Sequence, residues 1–216
     1  MRAIAEDTVE RIDFMQLSPQ RALVIGETTS LLSTGLEAKG SKVDQQKLGE
    51  FPEDAPYPTQ EYDLIVHLLG LGHVNDLPGA LIHARMALAE GGLFIAAFPG
   101  AGSLPILRKL VQIADSERPA ARMHPLIDNR AGTALLERAG FARQVVDSFP
   151  ISVRYSSLET MIEDLRDHGL TSSIASPAPP LTRSVWARAK TAFDELADDE
   201  GKVTETFEML TLTGWR

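Results

Sequence analysis

Three short stretches hold the side chains that could do chemistry. The first is Ala22-Leu23-Val24-Ile25-Gly26-Glu27-Thr28. An apolar run ending in glycine reads as a buried strand entering a tight turn, and open α/β sheets hold ligands at the carboxyl ends of such strands. Gly26, Glu27 and Thr28 are therefore candidate ligand contacts. The alternative is a plain strand-to-helix turn capped by Thr28, Thr29 or Ser30. A nucleotide-type loop would continue with two more glycines, which let the backbone approach a ligand with no Cβ in the way. Thr28 and Ser30 stand in those places. The second stretch contains Asp44, whose carboxylate could accept from both hydroxyls of a ribose or sit solvated in a turn. The third is Leu69-Gly70-Leu71-Gly72-His73. A neutral His73 could act as a general base, or it is a loop histidine with a backbone partner.

The other histidines offer less. His67 lies inside an apolar run and reads as core, and His83 reads as solvated on a helix face. His124 and Asp128 fall in a loop over 116–130 with Arg118, Arg122 and Arg130, where they could touch a ligand. Their spacing matches no metal motif, and no metal is expected.

Composition narrows the function classes. The chain has 216 residues, no cysteine, and 21 Lys plus Arg against 30 Asp plus Glu, a formal charge of −9. The missing thiols exclude disulfides, thiolate metal sites and cysteine nucleophiles. They also fit a cytoplasmic location. So acidic a chain repels a phosphate backbone unless its cations cluster, and no cluster is visible, so nucleic acid is not an expected partner. No segment has the roughly 18 apolar residues of a membrane span. The first ten residues are acidic and do not read as a signal peptide.

These residues need elements to position them. Residues 2–17 read as a short amphipathic lead-in, Ala22–Ile25 as a strand, Thr29–Lys39 as a helix and Ser41–Gln46 as a second strand. The proline-rich, acidic 47–61 reads as loop. Asp63–Leu69 is apolar at nearly every position, as in a strand buried on both faces. A helix over 77–89 should end at Gly91-Gly92, followed by a strand over Leu93–Phe98. Helices follow at Leu104–Asp115 and Ala131–Ala139. This alternation argues an α/β fold with a mostly parallel sheet. Ala142–Tyr155 and Val203–Thr213 then read as an antiparallel closing pair. Between them lie helical stretches at 157–168 and 182–197, joined by Ser176-Pro177-Ala178-Pro179-Pro180. One domain over 1–216 is expected, with a helical insertion at about 156–200.

Several stretches carry a resemblance. Tyr62-Asp63-Leu64-Ile65-Val66 and Ala87-Leu88-Ala89-Glu90-Gly91-Gly92-Leu93-Phe94 resemble class I S-adenosylmethionine-dependent methyltransferases, which have a Rossmann-like fold. Five further stretches are similar to one branch: Val74 to Leu81, Leu135 to Phe141, Val153-Arg154-Tyr155, Asp164-Leu165-Arg166 and Thr206 to Trp215. That branch holds the methyltransferase-like assembly factors of respiratory complex I and the enzyme that methylates malonyl-acyl carrier protein. The resemblance covers about 20–216 and is most specific in the C-terminal half.

It implies S-adenosylmethionine as cofactor, with contacts at Gly26, Glu27, Thr28, Asp44, Leu69 and Gly70. It also implies substrate contacts at His73, Arg154 and Tyr155. The chain departs from the pattern in its first half. The family's strand aspartate falls on Val24, its later glycines on Thr28 and Ser30, and its His-Trp pair on Gly72 and His73. About 17 residues separate Asp44 from Tyr62, too few for a full helix and strand, so one βα unit is shortened or lost. The helix that lids the substrate site in relatives is nearly absent. Two functions follow as expectations. One is a methyltransferase for a small-molecule or carrier-protein substrate, with impaired cofactor binding. The other is a non-catalytic assembly factor that binds a protein partner.

Overall fold

The structure is a computed structural model that describes residues 1–116, 119–172, 174–176 and 178–216. Arg118 and Pro177, named above, lie outside the described residues. Six strands form one sheet: β1 (Arg21–Ile25), β2 (Lys42–Gln46), β3 (Tyr62–Leu68), β4 (Leu88–Pro99), β5 (Ala142–Tyr155) and β6 (Val203–Trp215). Their order is β2-β1-β3-β4-β6-β5. The first four are parallel, and β6 runs antiparallel between β4 and β5. This is the mostly parallel α/β sheet with an antiparallel C-terminal pair that the alternating pattern predicts.

Side chains alternate across each strand, so each face of the sheet collects its own core. One face carries Val24, Val66 and Ile95. It is covered by α1 (Arg2–Phe14), α2 (Leu31–Ala38), α4 (Pro105–Ala114), α6 (Leu158–Asp167) and α7 (Arg183–Asp194). The other face carries Leu23, Ile65 and Phe94 under α3 (Leu77–Ala87) and α5 (Asn129–Arg138). Helices α6 and α7 lie in sequence between β5 and β6, where the helical insertion is expected.

Residues 47–61 form neither helix nor strand. They still cover the sheet, because Phe51 and Tyr57 bury their rings edge to face, 4.6 Å apart, in the core of the α3 face. Two aromatic side chains, each burying roughly 150–250 Å2, thus stand in for an absent helix. Helix α1 is a full thirteen-residue helix. It packs Ile4 and Ile12 into the core and ties to the far edge strand through Arg11 and Asp147.

One boundary differs from expectation. Gly91-Gly92 does not stop a helix: α3 ends at Ala87, and the glycines lie within β4. Leu88 already pairs with Tyr62, and the register then shifts before Leu64 meets Leu93. The glycine pair serves that irregularity, with Gly91 at φ +74°, a conformation that costs glycine little.

Candidate functional site

The carboxyl ends of β1 and β3 open onto a cavity of about 500 Å3. Gly26, Glu27, Thr28, Gly70 and His73 line it, together with Lys47, Leu48, Glu53 and Arg166. The structure therefore brings five of the expected residues together. The other four lie elsewhere.

Gly26 has φ +83°, and a Cβ there would stand 2.2 Å from the carbonyl oxygen of Leu68. The glycine is required by the close approach of β1 to β3. The same Cβ would also meet Leu48 at 2.9 Å, and one on Gly70 would meet Leu48 at 2.8 Å. The Leu48 side chain thus fills the gap between the two glycines.

Glu27 fills a second place. Its carboxylate accepts from the N–H of Leu32 at 2.7 Å, from the N–H of Ser33 at 3.0 Å and from the Ser33 hydroxyl. Ser30 sits at the N-cap position with φ +57° and makes no side-chain cap bond. Of the expected caps Thr28, Thr29 and Ser30, Thr29 accepts from the first amide, that of Leu31, at 3.5 Å, and Glu27 takes the next two. The amide donors at this helix start, a favourable seat for an anion, already hold the protein's own.

Asp44 is not brought to the cavity. It lies within β2 opposite Leu23. Its Oδ2 accepts from Arg21 at 3.1 Å and from the Tyr62 hydroxyl at 2.9 Å. Leu69 is buried behind the site at φ +70°, donating its N–H to the carbonyl of Ala97. Arg154 is held at the surface by Asp198 and Glu200. Tyr155 is buried, and its hydroxyl donates to Asp164, tying β5 to α6. Arg154 and Tyr155 are thus placed for architecture rather than beside His73.

His73 closes one end of the 3₁₀ turn Gly70–His73, with its ring 5.2 Å from that of His124. Burial, with a smaller contribution from His124, pushes His73 down to about 4, and burial also lowers His124. Both imidazoles are neutral at pH 7. Asp128 accepts from the Ala131 N–H and serves as the cap of α5.

Sequence reading missed several lining residues, Lys47, Leu48, Glu53 and Arg166 among them. Lys47, Leu48 and Glu53 come from a loop with no periodicity to orient them. Glu53 is held by the packing of Phe51 and Tyr57 around it in sequence, and burial raises its carboxyl above the usual range. Behind it His67 is fully buried, with Nε2 3.9 Å from Glu53 Oε1 and, among the described residues, no hydrogen-bond partner at either ring nitrogen. Arg166 had a signal, the Asp164-Leu165-Arg166 triplet, but nothing in the triplet marks which side chain faces a cavity.

Residues 4–145 match the methyltransferase domain family. The chain belongs to this family, within the class I S-adenosylmethionine-dependent methyltransferase superfamily. The rat mitochondrial arginine-hydroxylase NDUFAF5 is 30% identical over 168 residues, 76% of this chain and 49% of its own length. Malonyl-[acyl-carrier protein] O-methyltransferase 1 of Coxiella burnetii is 24% identical over 226 residues, 97% of this chain and 78% of its own. The chain spans about half the length of the arginine-hydroxylases it matches. A candidate methyltransferase of Bacillus halodurans shares the fold, with a TM-score of 0.58 at 11% identity over 94% of this chain and 96% of that one.

The family implies S-adenosylmethionine, and Gly26, Thr28 and Gly70 line the cavity at the strand ends where it would be held. Leu48 occupies the space between the two glycines, and Glu27 occupies the helix amides. Asp44 is turned to Arg21 and Tyr62. Among the described residues no group of histidine and acidic side chains is arranged to hold a metal, and no helix is long and apolar enough to cross a membrane.

Proposed function

We propose that this chain is a methyltransferase-family protein that engages a protein-borne target and binds S-adenosylmethionine weakly. The carrying observation is the filling of the glycine gap by Leu48. The relatives supply the kind of target, since their names describe action on an arginine and on an acyl-carrier protein. In this reading the whole chain works as one methyltransferase-like unit. Gly26, Thr28, Gly70 and His73 line its working edge, and its partner is a protein, as for an assembly factor.

A second reading, methyl transfer to a carrier-protein or protein acceptor, is favoured by the 500 Å3 that remains open at the strand ends. Methyl transfer needs alignment and exclusion of water more than a base, so the altered motif does not remove it.

Calorimetric titration with S-adenosylmethionine separates the two. The first reading expects a dissociation constant weaker than about 100 μM, with Asp44→Asn unchanged because Asp44 lies outside the cavity. A submicromolar constant, with a labelled methyl group appearing on a protein from the native host, would establish the second.

A further inference from the structure

Behind His73 lies a smaller pocket of about 180 Å3, walled mainly by Leu104, Leu107, Met123 and Leu165. Two guanidinium groups border it, and their states differ. Arg122 gives Nε and Nη2 to the two oxygens of Asp115 and Nη1 to the carbonyl of Pro179. The Arg166 side chain makes no hydrogen bond or ion pair with any described residue. Yet Arg166 borders three spaces at once. They are this pocket, the 500 Å3 cavity at the strand ends, and a groove between α6 and α7 lined by Ile162, Leu181 and Trp186.

The carboxylates nearby do not neutralise it. Glu159 is paired with Lys190, and neither Glu163 nor Asp167 comes within ion-pair distance of Arg166. The position is held by the fold: Tyr155 anchors Asp164, two residues before Arg166, to β5. A planar guanidinium offers paired donors that match a carboxylate or a phosphate. The space behind it discriminates between these. At roughly 30 Å3 for each water-sized group, the pocket admits on the order of six such groups, and its walls are mostly aliphatic. A carbon chain suits that space, and a phosphate does not need it.

We propose that Arg166 anchors the carboxylate of a ligand whose short aliphatic stem lies in the pocket of Leu104, Leu107, Met123 and Leu165, reached along the α6–α7 groove. This deepens the reading above by naming the chemistry of the target group, and it takes from that reading only that the cavity is the working site.

The test uses the full chain, with the Arg166 side-chain Nε–Hε resonance and calorimetry as readouts. The probes are butyrate, its neutral isostere butyramide, and inorganic phosphate. Butyrate is expected to shift the Arg166 resonance and to bind at least tenfold more tightly than butyramide. Arg166→Gln should lose at least tenfold in butyrate affinity, and Arg166→Lys, which keeps the charge but not the paired donors, should fall between Arg166→Gln and the wild type. Arg166 is exposed, so both variants are expected to fold, which circular dichroism checks. Equal affinity for butyrate and butyramide, unchanged butyrate binding in Arg166→Gln, or no butyrate binding at all would overturn the proposal. So would phosphate displacing butyrate at lower concentration. Tight S-adenosylmethionine binding by the wild type would sink the weak-cofactor reading and leave the butyrate comparison intact.

Discussion

Helices α2 and α4 begin in the same way, on opposite halves of the sheet. Each is preceded by a residue in the left-handed region, Ser30 at φ +57° and Leu104 at φ +59°, and neither residue caps its helix with a side chain. In each case a glutamate takes the second and third amides. Glu27 accepts from Leu32 and Ser33, and Glu205 accepts from Ile106 and Leu107. The difference is place. Glu205 comes from β6, is fully buried, and also accepts from its neighbour Thr206. Glu27 is local in sequence and stands at the edge of the cavity. The same device is architecture at α4, whereas at α2 it occupies a seat that a ligand anion would otherwise take. What a helix start can do depends on whether the protein's own anion is already there.

The largest effect belongs to the buried member. Glu205→Ala strands two helix amides and the Thr206 amide away from water. Charge-assisted bonds of this kind contribute about 1.5–3 kcal/mol, so the variant should lose about 3 kcal/mol in urea unfolding. A loss under about 1 kcal/mol would mean that α4 does not depend on its remote cap.

A pH titration sharpens the contrast between a satisfied buried group and an unsatisfied one. His67 lies under the cavity, and burial pushes it down to about 3. It is neutral in the fold, while the unfolded chain takes up its proton below about 6.5. The unfolded state then binds more protons, so stability falls as pH drops. From pH 6.5 to pH 5 this single group should remove about 2 kcal/mol. Denaturant midpoints should follow that slope in the wild type and flatten in His67→Phe. An unchanged slope in that variant would assign the pH dependence to other groups.

The two halves were also unequally legible from sequence. In the C-terminal half, the strand-rich stretches Ala142–Tyr155 and Val203–Thr213 form the antiparallel closing pair that was expected of them. The side chains there were less legible than the strands: Arg154 and Tyr155, expected at a substrate site, pair instead with Asp198 and Asp164. In the first half, the apolar runs located β1 and β3 but not what lies above them. Leu48 and Glu53 sit in an acidic, proline-rich loop, where no period fixes which way a side chain faces. Asp44 was legible as an acidic residue near the end of a strand. Its turn toward Arg21 and Tyr62 depends on a strand pairing that composition does not reveal. Gly91-Gly92 carries the signature of a helix stop, yet it serves a strand irregularity because Leu88 already pairs with Tyr62.

Leu48 offers a gentler perturbation of the first half. It is a flexible side chain between Gly26 and Gly70, and trimming it leaves the backbone of β1 and β3 untouched. Leu48→Ala should strengthen S-adenosylhomocysteine binding about tenfold, or about 1.4 kcal/mol, measured by calorimetry. Unchanged or weaker binding would show that the glycine gap is not where affinity is limited.

The smallest effect tests the comparison itself. Glu27→Ala removes a partly exposed carboxylate at the cavity edge, so the stability loss should be about 1 kcal/mol. The amides of Leu32 and Ser33 then become available to an external anion, at a helix end whose dipole favours negative charge. Added sulfate should therefore restore thermal stability in Glu27→Ala more than it stabilises the wild type. In Glu205→Ala the corresponding amides are enclosed by β6, and sulfate should restore nothing beyond its general salting effect. Three thermal-unfolding series, with sulfate matched against chloride at equal ionic strength, decide the point. Equal responses in the two variants would mean that the α2 start is no more open to a ligand than the α4 start. Glu27 would then be a plain structural cap, and the proposal of weak cofactor binding would rest on Leu48 alone.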